Sequence, residues 1–237
     1  MKRIAVLCDF DDTAADQNVA HLLLAQFAGG RDRQHNDAMR SNSISFREYQ
    51  ERAFDETTGS LEEMTQHVAN SATLRPGFVE SVAAAKRVRA TFTVVSAGLE
   101  FYISAALKKA KMADLPIVAV RAARSSPTGP LRYDYGTVSN ACDMKWATCK
   151  CRSVEEAKAA GLFTVFVGDG TRSDACAAAK ADVVFARDRL LEHCIANKIQ
   201  CTPLGTTLYP LEDFLKSSPA SLSRATQPTS QRQSTTR

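Results

Sequence analysis

The residues of this chain best suited to chemistry are carboxylates that directly follow a short apolar run. Asp9 and Asp11 come after the apolar residues 4–7, and Thr13 follows them. Such a run predicts a buried parallel strand, whose carboxyl end lies at the sheet edge where ligands bind. Two carboxylates this close repel each other unless a cation lies between them, and oxygen ligands favour Mg²⁺. An acidic turn without any ligand would explain these residues equally well.

Two more apolar runs end in polar residues. Residues 92–98 contain Ser96 near their end, and residues 163–167 are followed closely by Asp169 and Asp174. The carboxyl ends of parallel strands meet at one edge of a sheet, so we expect these side chains to share one crevice with the first aspartates. Three converging clusters favour a functional site over a chance acidic turn.

A site for phosphoryl transfer also needs a cation from the protein. Negative charge spreads over three oxygens of a phosphoryl group in transfer, and a metal ion and an ammonium group stabilise it together. Lys145 and Lys150 are the candidates that precede the strand predicted at residues 163–167. At this point both lysines remain open.

Strand and helix patterns alternate along most of the chain. Apolar, β-branched runs predict further strands at 117–120 and 183–186, with helical spacing between the strands. This alternation predicts an α/β fold with a Rossmann-like, doubly wound parallel sheet. Residues 121–141, which contain Pro130, predict a hairpin or a long loop.

Residues 14 to about 74 carry helical patterns only. The segments 45–48 and 60–63 both read Ser-x-x-Glu, the capping box that begins a helix, and 153–156 reads the same way. Asp16 is the expected cap of the first helix. A helical unit is therefore predicted between the first and second strands.

The net charge of the chain is concentrated in its last residues. The formal net charge is +4, and leaving out Arg224, Arg232 and Arg237 reduces it to about +1. A nearly neutral body carries no electrostatic footprint for nucleic acid. The segment 217–237 has too few apolar residues to order itself and is predicted to be disordered.

No segment of the sequence approaches the length of a membrane span. The apolar run 4–7 is too short for the core of a signal peptide. We therefore expect no membrane partner and a cytoplasmic location, where the seven cysteines are thiols.

The order of these motifs is specific enough to indicate a family. The stretch from Asp9 to Thr13, then Ser96, a lysine and Gly168-Asp169-Gly170 resemble the four ordered motifs of the haloacid dehalogenase (HAD) superfamily of phosphatases. The resemblance covers residues 4 to about 215. It implies a HAD core over 1–13 and 76–216, with a helical C1-type cap of the phosphoserine-phosphatase-like branch inserted after the first strand, over 14–75.

Within that branch, the chain looks most similar to methionine-salvage enol-phosphate phosphatases and to fungal polyol phosphatases. In those relatives the motif lysine stands next to a cysteine and 19 residues before the fourth-motif aspartate. Cys149-Lys150-Cys151 has that pattern, because Lys150 precedes Asp169 by 19 residues. The resemblance therefore favours Lys150 over Lys145.

The resemblance implies a mechanism and a cofactor. The nucleophile would be Asp9, which forms an aspartyl phosphate, and the acid and base would be Asp11. Mg²⁺ would be bound by Asp9, the carbonyl of Asp11 and Asp169, with Asp174 in support. The substrate would be a small phosphate ester such as a sugar, polyol or methylthio-sugar phosphate, held through Ser96, Gly98, Lys150 and the position of Asn18.

The sequence departs from the family pattern at three places. Asp12 replaces the usual glycine between the second aspartate and the threonine. Asp174 lies five residues after Asp169, where the relatives have four, so Ser173 is an alternative. Asn18 stands where phosphoserine phosphatases carry a glutamate that pairs with an ammonium group, which makes phosphoserine a weaker expectation.

Other functions use similar residues. A receiver-type signalling domain also combines aspartates, a hydroxyl and a lysine, but it has no helical insertion after the first strand. A non-catalytic phosphate-binding relative would lack the nucleophile or the acid, and both are present. Phosphoserine phosphatase activity and phosphotransfer to a second hydroxyl remain alternatives.

Overall fold

A seven-stranded sheet forms the centre of the protein. The computed structural model describes residues 3–124, 126, 129–135 and 147–221. The strands are β1 (Ile4–Cys8), β2 (Thr91–Leu99), β3 (Ile117–Arg124), β4 (Leu131–Asp134), β5 (Phe163–Gly168), β6 (Val183–Ala186) and β7 (Thr202–Pro203). Their order is β4-β3-β2-β1-β5-β6-β7, and all neighbours are parallel except β3 and β4. The predicted doubly wound α/β sheet is therefore confirmed.

Helices pack on both faces of the sheet and fill the insertion after β1. They are α1 (Val19–Phe27), α2 (Arg33–Arg40), α3 (Phe46–Asp55), α4 (Leu61–Ser71), α5 (Phe78–Arg87), α6 (Glu100–Lys109), α7 (Lys150–Ala159), α8 (Ala175–Ala178), α9 (Asp188–Ala196) and α10 (Tyr209–Ser221). The sheet's apolar side chains enter two buried clusters, one on each face. Burial on both faces explains why the central strands read as continuous apolar runs rather than alternating ones.

The registers bring three strand ends to one level. Cys8 at the end of β1 lies opposite Val94 of β2 and opposite Val167 of β5. Asp9 follows Cys8 directly, whereas Ser96 and Asp169 each come two residues after the partners of Cys8. The parallel sheet therefore carries the three predicted clusters to the same edge, as expected.

The helix starts agree with two of the three predicted capping boxes. Ser45 and Ser60 each accept a hydrogen bond from the backbone N–H three residues on, and the glutamates reciprocate. The prediction for Ser153 is wrong, because α7 already begins at Lys150 and Ser153 lies within it. Asp16 was also wrongly expected to cap α1, since Asn18 caps that helix and Asp16 pairs with Arg75.

The insertion between β1 and β2 leaves and returns at adjacent points. Ala15 and Leu74 form an antiparallel bridge. Next to it, the backbone N–H of Asp16 donates to the carbonyl of Thr73 at 3.0 Å, and that of Arg75 donates to Ala14 at 2.8 Å. The division into a core and a cap at residues 14–75 stays a prediction, and this closed neck is compatible with it.

The hairpin after β2 and the last helix were also predicted from the sequence. For residues 121–141 a hairpin or a long loop was predicted, and residues 121–124 of β3 pair with β4 as an antiparallel hairpin. Residues 136–141 of that range lie outside the described residues. The last helix runs to Ser221, past the expected bound at 216, and residues 222–237 lie outside the described residues. Within the described part of the chain, no helix combines the length and the apolar character that crossing a membrane requires.

Candidate active site

A cavity of about 190 Å³ lies at the carboxyl edge of the sheet, between the ends of the central strands and the inserted helices. Helices α1 and α3 contribute its outer wall. The predicted site residues that line it are Asp9, Asp11, Asn18, Ser96, Gly98, Asp169 and Asp174. Lys150 lies buried beneath them and contacts Asp9. The alternative lysine, Lys145, lies outside the described residues.

The residues after β1 form a wide turn that carries the first two aspartates into the cavity. The N–H groups of Ala14 and Ala15 donate to the carbonyls of Asp9 and Phe10, five residues back. Within the turn, Asp12 has a φ of 59°, which is left-handed. This backbone conformation favours glycine, and aspartate is one of the few other residues that tolerate it.

Three carboxylates form a cluster on the floor of the cavity. Asp9, Asp169 and Asp174 each place an oxygen within 4.8 Å of the other two. The Lys150 ammonium lies 2.5 Å from Asp9 Oδ1 and 2.6 Å from Asp174 Oδ1. Thr13 Oγ1 donates to Asp169 Oδ1 at 2.9 Å. One ammonium therefore faces three buried or half-buried carboxylates.

The fourth-motif loop is organised around Asp174, which is fully buried. Its Oδ2 accepts hydrogen bonds from the backbone N–H groups of Asp169 and Gly170. Ser173 donates its hydroxyl to Asp174 Oδ1 at 3.0 Å. Of the two candidates left by the extra residue in the loop, Asp174 reaches the carboxylate cluster and contacts Lys150, whereas Ser173 supports it.

The electrostatics of the cluster suit an additional cation. Burial and the charges of its carboxylate neighbours raise the pKa of Asp9 well above its usual range, although Lys150 opposes the shift. Burial and Asp174 likewise raise the pKa of Asp169. Burial lowers the pKa of Lys150, but Asp174 and Asp9 more than offset this, so its pKa is raised. The excess negative charge and the all-oxygen donor set fit a hard divalent ion such as Mg²⁺.

Asp11 lies in the same cavity, but its carboxylate points away from the cluster. Its Oδ1 accepts from the backbone N–H of Val19 at 2.7 Å, and its Oδ2 accepts from the Tyr102 hydroxyl at 2.8 Å. Burial raises the pKa of Asp11 to about 6, despite these two hydrogen bonds, which favour the charged form. A carboxyl group with this pKa exchanges a proton readily near neutral pH.

Tyr102 was missed by the sequence analysis because it meets Asp11 across 91 positions of the chain. It is fully buried on α6, one turn after the end of β2. The backbone N–H of Gly98 donates to Ser96 Oγ at 3.0 Å, which folds the end of β2 tightly. A Cβ on Gly98 would overlap the Tyr102 hydroxyl and lie 3.0 Å from Asp11 Oδ2. Glycine is required there for close packing rather than for flexibility.

Asn18 has a structural task. Its Oδ1 accepts from the His21 backbone N–H at the start of α1, and its Nδ2 donates to Asp12 Oδ2 at 3.1 Å. Both ends of its amide are therefore engaged within the protein, although the residue lines the cavity. Asn18 holds α1 and the aspartate turn together.

The α3 side of the cavity carries two polar atoms that the sequence analysis did not single out. Gln50 donates its Nε2 to the carbonyl of Ala97 at 2.9 Å, but its buried Oε1 has no hydrogen-bond partner within the described residues. The buried hydroxyl of Tyr49 also has none there. Leaving such a group unsatisfied costs about 1–3 kcal/mol. The signal in the sequence was a glutamine on the apolar face of a helix, between Tyr49 and Phe54.

Arg75 ties the aspartate turn to the neck of the insertion. Its guanidinium donates to the carbonyls of Asp12, Thr13 and Ala15 at 2.8, 2.8 and 3.3 Å, and it pairs with Asp16 at 2.8 Å. The residue is only 4% exposed. The sequence analysis did not single out this arginine, because its acceptors are backbone atoms that lie 60 or more positions away.

The chain is similar to a family of hydrolases over most of its length. The model of the haloacid dehalogenase-like hydrolases matches residues 6–179. A relative, the bifunctional enzyme MtnB/MtnX of Bacillus licheniformis, is 31% identical over 195 residues. That match covers 82% of this chain but only 45% of the relative, so the chain spans less than half of that protein.

Another relative is comparable in length to the chain. The 2-hydroxy-3-keto-5-methylthiopentenyl-1-phosphate phosphatase of Lysinibacillus sphaericus is 28% identical, with 85% of this chain and 89% of the relative covered. Among solved structures, a phospho-aspartyl intermediate analogue of phosphoserine phosphatase aligns with a TM-score of 0.67. It is 18% identical and covers 90% of this chain and 99% of that one, which shows a shared fold. The sheet, the four motif positions and the family match together establish that the chain belongs to the haloacid dehalogenase-like hydrolase family.

Proposed function

We propose that the protein is a Mg²⁺-dependent phosphomonoesterase that acts on a small phosphorylated metabolite through an aspartyl-phosphate intermediate. The observation that carries the proposal is the placement of Asp9 beside Lys150, Asp169 and Asp174 at the floor of a small covered cavity. Relatives named as phosphatases of a methylthiopentenyl phosphate support the same reaction class. The cavity volume of about 190 Å³ suits a small metabolite better than a protein substrate.

In the first half of the reaction, Asp9 attacks the phosphorus atom of the ester. A bond forms between an Asp9 oxygen and phosphorus, and the bond from phosphorus to the leaving oxygen breaks. Asp11 donates its proton to that oxygen, and its pKa of about 6 leaves part of the population protonated near neutral pH. The hydroxyl of Ser96 and the ammonium of Lys150 hold the phosphoryl oxygens.

In the second half, water attacks the phosphorus atom of the aspartyl phosphate. Asp11, now a carboxylate, accepts the proton of the water, and the bond between Asp9 and phosphorus breaks. Asp9, Asp169, Asp174 and the carbonyl of Asp11 are the groups that would hold Mg²⁺. When bound there, Mg²⁺ neutralises negative charge on the transferred group and on the cluster.

We also propose that residues 14–75 act as a cap over a core formed by 1–13 and 76–216. The support is that α1 and α3 line the cavity from outside the sheet edge, and that the insertion is joined to the core at one neck. A cytoplasmic location, where cysteines are kept as thiols, is proposed as well.

The test is phosphate release from a panel of phosphorylated metabolites and a generic aryl phosphate, with and without Mg²⁺. Asp9→Asn keeps the shape of the nucleophile and removes its charge. We expect release that depends on Mg²⁺ in the wild type and is lost in Asp9→Asn. Equal release by the two proteins, or none from any substrate by the wild type, would refute the proposed function.

A further inference from the structure

We propose that Cys149 and Cys151 form a reversible disulfide when the protein meets hydrogen peroxide, and that this bond lowers phosphatase activity by displacing Lys150. The inference goes beyond the proposed function and rests on it only for the effect on activity. It starts from two buried thiols, one on each side of the lysine that contacts the carboxylate cluster.

The two sulfur atoms are already in contact. Cys149 Sγ lies 3.2 Å from Cys151 Sγ, so they must approach by about 1 Å to reach the length of a disulfide bond. Residues two positions apart do not face each other on a regular helix. Here Cys149 has an extended backbone, with φ −88° and ψ 93°, and α7 begins only at Lys150. The change from extended to helical backbone lets the two side chains meet.

A second cavity gives a small oxidant access to Cys149. Its volume is about 350 Å³, and Cys149 lines it together with residues of β3 and of the first turns of α7. The cavity reaches the surface, because Val118 in its wall is 41% exposed. Cys149 itself is only 7% exposed, which admits hydrogen peroxide better than a bulky disulfide such as oxidised glutathione.

The position of Cys149 also suits the first chemical step. The residue stands at the N-terminus of α7, where the helix dipole stabilises negative charge. The thiolate is the form of cysteine that attacks a peroxide. Cys151 is 4% exposed, so it meets the oxidised Cys149 more readily than it meets the peroxide itself.

Peroxide supplies the oxidising equivalents for both steps. The Cys149 thiolate attacks one peroxide oxygen, a sulfur–oxygen bond forms, and the oxygen–oxygen bond breaks to release hydroxide, which takes up the thiol proton as water. The Cys151 sulfur then attacks the Cys149 sulfur, the sulfur–oxygen bond breaks, and water leaves with the proton of Cys151. Two thiols thereby lose two electrons, and peroxide is reduced to water. A dithiol reverses the reaction by thiol–disulfide exchange.

The disulfide would enclose a single residue, which is the behaviour expected of a switch rather than of a structural bridge. A loop this short removes little entropy from the unfolded chain, so the bond adds little stability. Strain in such a small ring also makes the bond easy to reduce, as in labile and regulatory disulfides. The bond is therefore formed and broken by changes in the redox conditions.

The enclosed residue is Lys150, whose position sets the charge balance of the site. Its ammonium lies 2.5 Å from Asp9 Oδ1 and 2.6 Å from Asp174 Oδ1, and its side chain is 1% exposed. A side chain packed this closely follows its backbone when the ring closes. A displacement of a catalytic group by about 1 Å can lower a rate by about a hundredfold, so we expect oxidation to reduce activity strongly.

The experiment treats the full chain with a small excess of hydrogen peroxide and blocks the remaining thiols before digestion. Trypsin separates residues 146–150 from residues 151–152, so these fragments stay joined only through a disulfide between Cys149 and Cys151. We expect mass spectrometry to find the joined fragments in the oxidised wild type, and dithiothreitol to separate them. Release of phosphate from an aryl phosphate with Mg²⁺ should fall at least about tenfold on oxidation and recover with dithiothreitol.

Cys149→Ala removes the sulfur that meets the peroxide. The quantity compared is the ratio of activities after and before treatment within each variant, so a change in basal activity cancels. We expect Cys149→Ala to keep its activity after peroxide. The matched control is Cys176→Ala, which changes a cysteine that packs against the same apolar cluster and should lose activity as the wild type does.

Three results would overturn the proposal. They are the absence of joined fragments, joined fragments without a loss of activity, and a loss that persists in Cys149→Ala, which would assign the damage to another residue such as Cys8. A reduced wild type that hydrolyses no substrate refutes the phosphatase function and the effect on activity, whereas joined fragments would still establish the disulfide. Should Cys149→Ala fail to fold, Cys149→Ser and the wild-type fragments decide.

Discussion

Gly98 has no room for a side chain, because the Tyr102 hydroxyl and Asp11 occupy the space where a Cβ would lie. This single position therefore couples the end of β2 to the proposed acid and base. A side chain at position 98 would therefore displace the Tyr102 hydroxyl from its hydrogen bond with Asp11.

We predict that Gly98→Ala lowers the free energy of unfolding by about 1–3 kcal/mol, as overpacking does, and strongly reduces phosphatase activity. In a Tyr102→Phe background the same change should cost less stability, because the overlapping hydroxyl is gone and the nearest ring carbon, Cζ, lies 2.7 Å away. Urea denaturation of the four proteins measures the coupling. Additive costs would contradict this account.

Asp12 holds a left-handed backbone conformation that suits glycine better than any other residue. We predict that Asp12→Gly is more stable than Asp12→Ala by about 1 kcal/mol, measured by chemical denaturation. Both variants lose the hydrogen bond with Asn18, so the comparison isolates the backbone. Equal stability of the two variants would show that φ at this turn relaxes without cost.

At the same scale, the sequence predicted the site residues at the ends of strands, but not the residues on helices that form hydrogen bonds with the site. Asp9, Ser96 and Asp169 were predictable, because each lies near or just after the end of an apolar run. Tyr102 and Gln50 were not, since their partners lie far along the chain and depend on how helices pack. No local pattern encodes such contacts.

At the scale of elements, the guanidinium of Arg75 joins the aspartate turn to the neck of the insertion. We predict that Arg75→Lys lowers the free energy of unfolding by about 2–4 kcal/mol and reduces kcat. The reason is that a lysine ammonium cannot donate to the three backbone carbonyls that the planar guanidinium reaches at the same time. Thermal or urea unfolding and steady-state kinetics measure the two effects.

The control for that change is Arg31→Lys. Arg31 is largely exposed and pairs with Glu56, so its replacement should change stability by no more than about 0.5 kcal/mol. Similar losses in the two variants would mean that the buried contacts of Arg75 add nothing to an exposed ion pair.

Element boundaries were predictable where capping was local. The boxes at Ser45 and Ser60 gave the starts of α3 and α4, because the cap and its glutamate lie within one turn. Helix α2 was not predicted individually, because Ala38 and Met39 are its only apolar residues and too few to form a helical repeat. The capping box at Ser153 predicted the wrong start for α7, because that helix begins one turn earlier, at Lys150.

At the scale of the whole molecule, the three clustered carboxylates are met by a single ammonium group among the described residues, that of Lys150, and a divalent cation would stabilise this arrangement. We predict that Mg²⁺ raises the Tm of the wild type, because it stabilises the folded state by about 2.7 kcal/mol when its concentration is a hundred times its Kd. Asp169→Asn should abolish most of this shift while the exposed control Asp213→Asn keeps it.

The same variant tests the electrostatics without metal. Burial and Asp174 raise the pKa of Asp169, so its ionised form opposes folding at pH values above that raised pKa. Without Mg²⁺, Asp169→Asn should therefore be no less stable than the wild type at neutral pH, as calorimetry can measure. If Mg²⁺ still raised the Tm of Asp169→Asn by the wild-type amount, the ion would have to bind at another site.

The bridge between Ala15 and Leu74 has a consequence for how such proteins diversify. The segment between these two residues leaves and re-enters the core at adjacent positions. Its replacement by a different segment would therefore not require β1 and β2 to move. The part of the cavity wall that α1 and α3 provide would change in such an exchange, whereas the carboxylates after β1 and β5 would stay with the sheet.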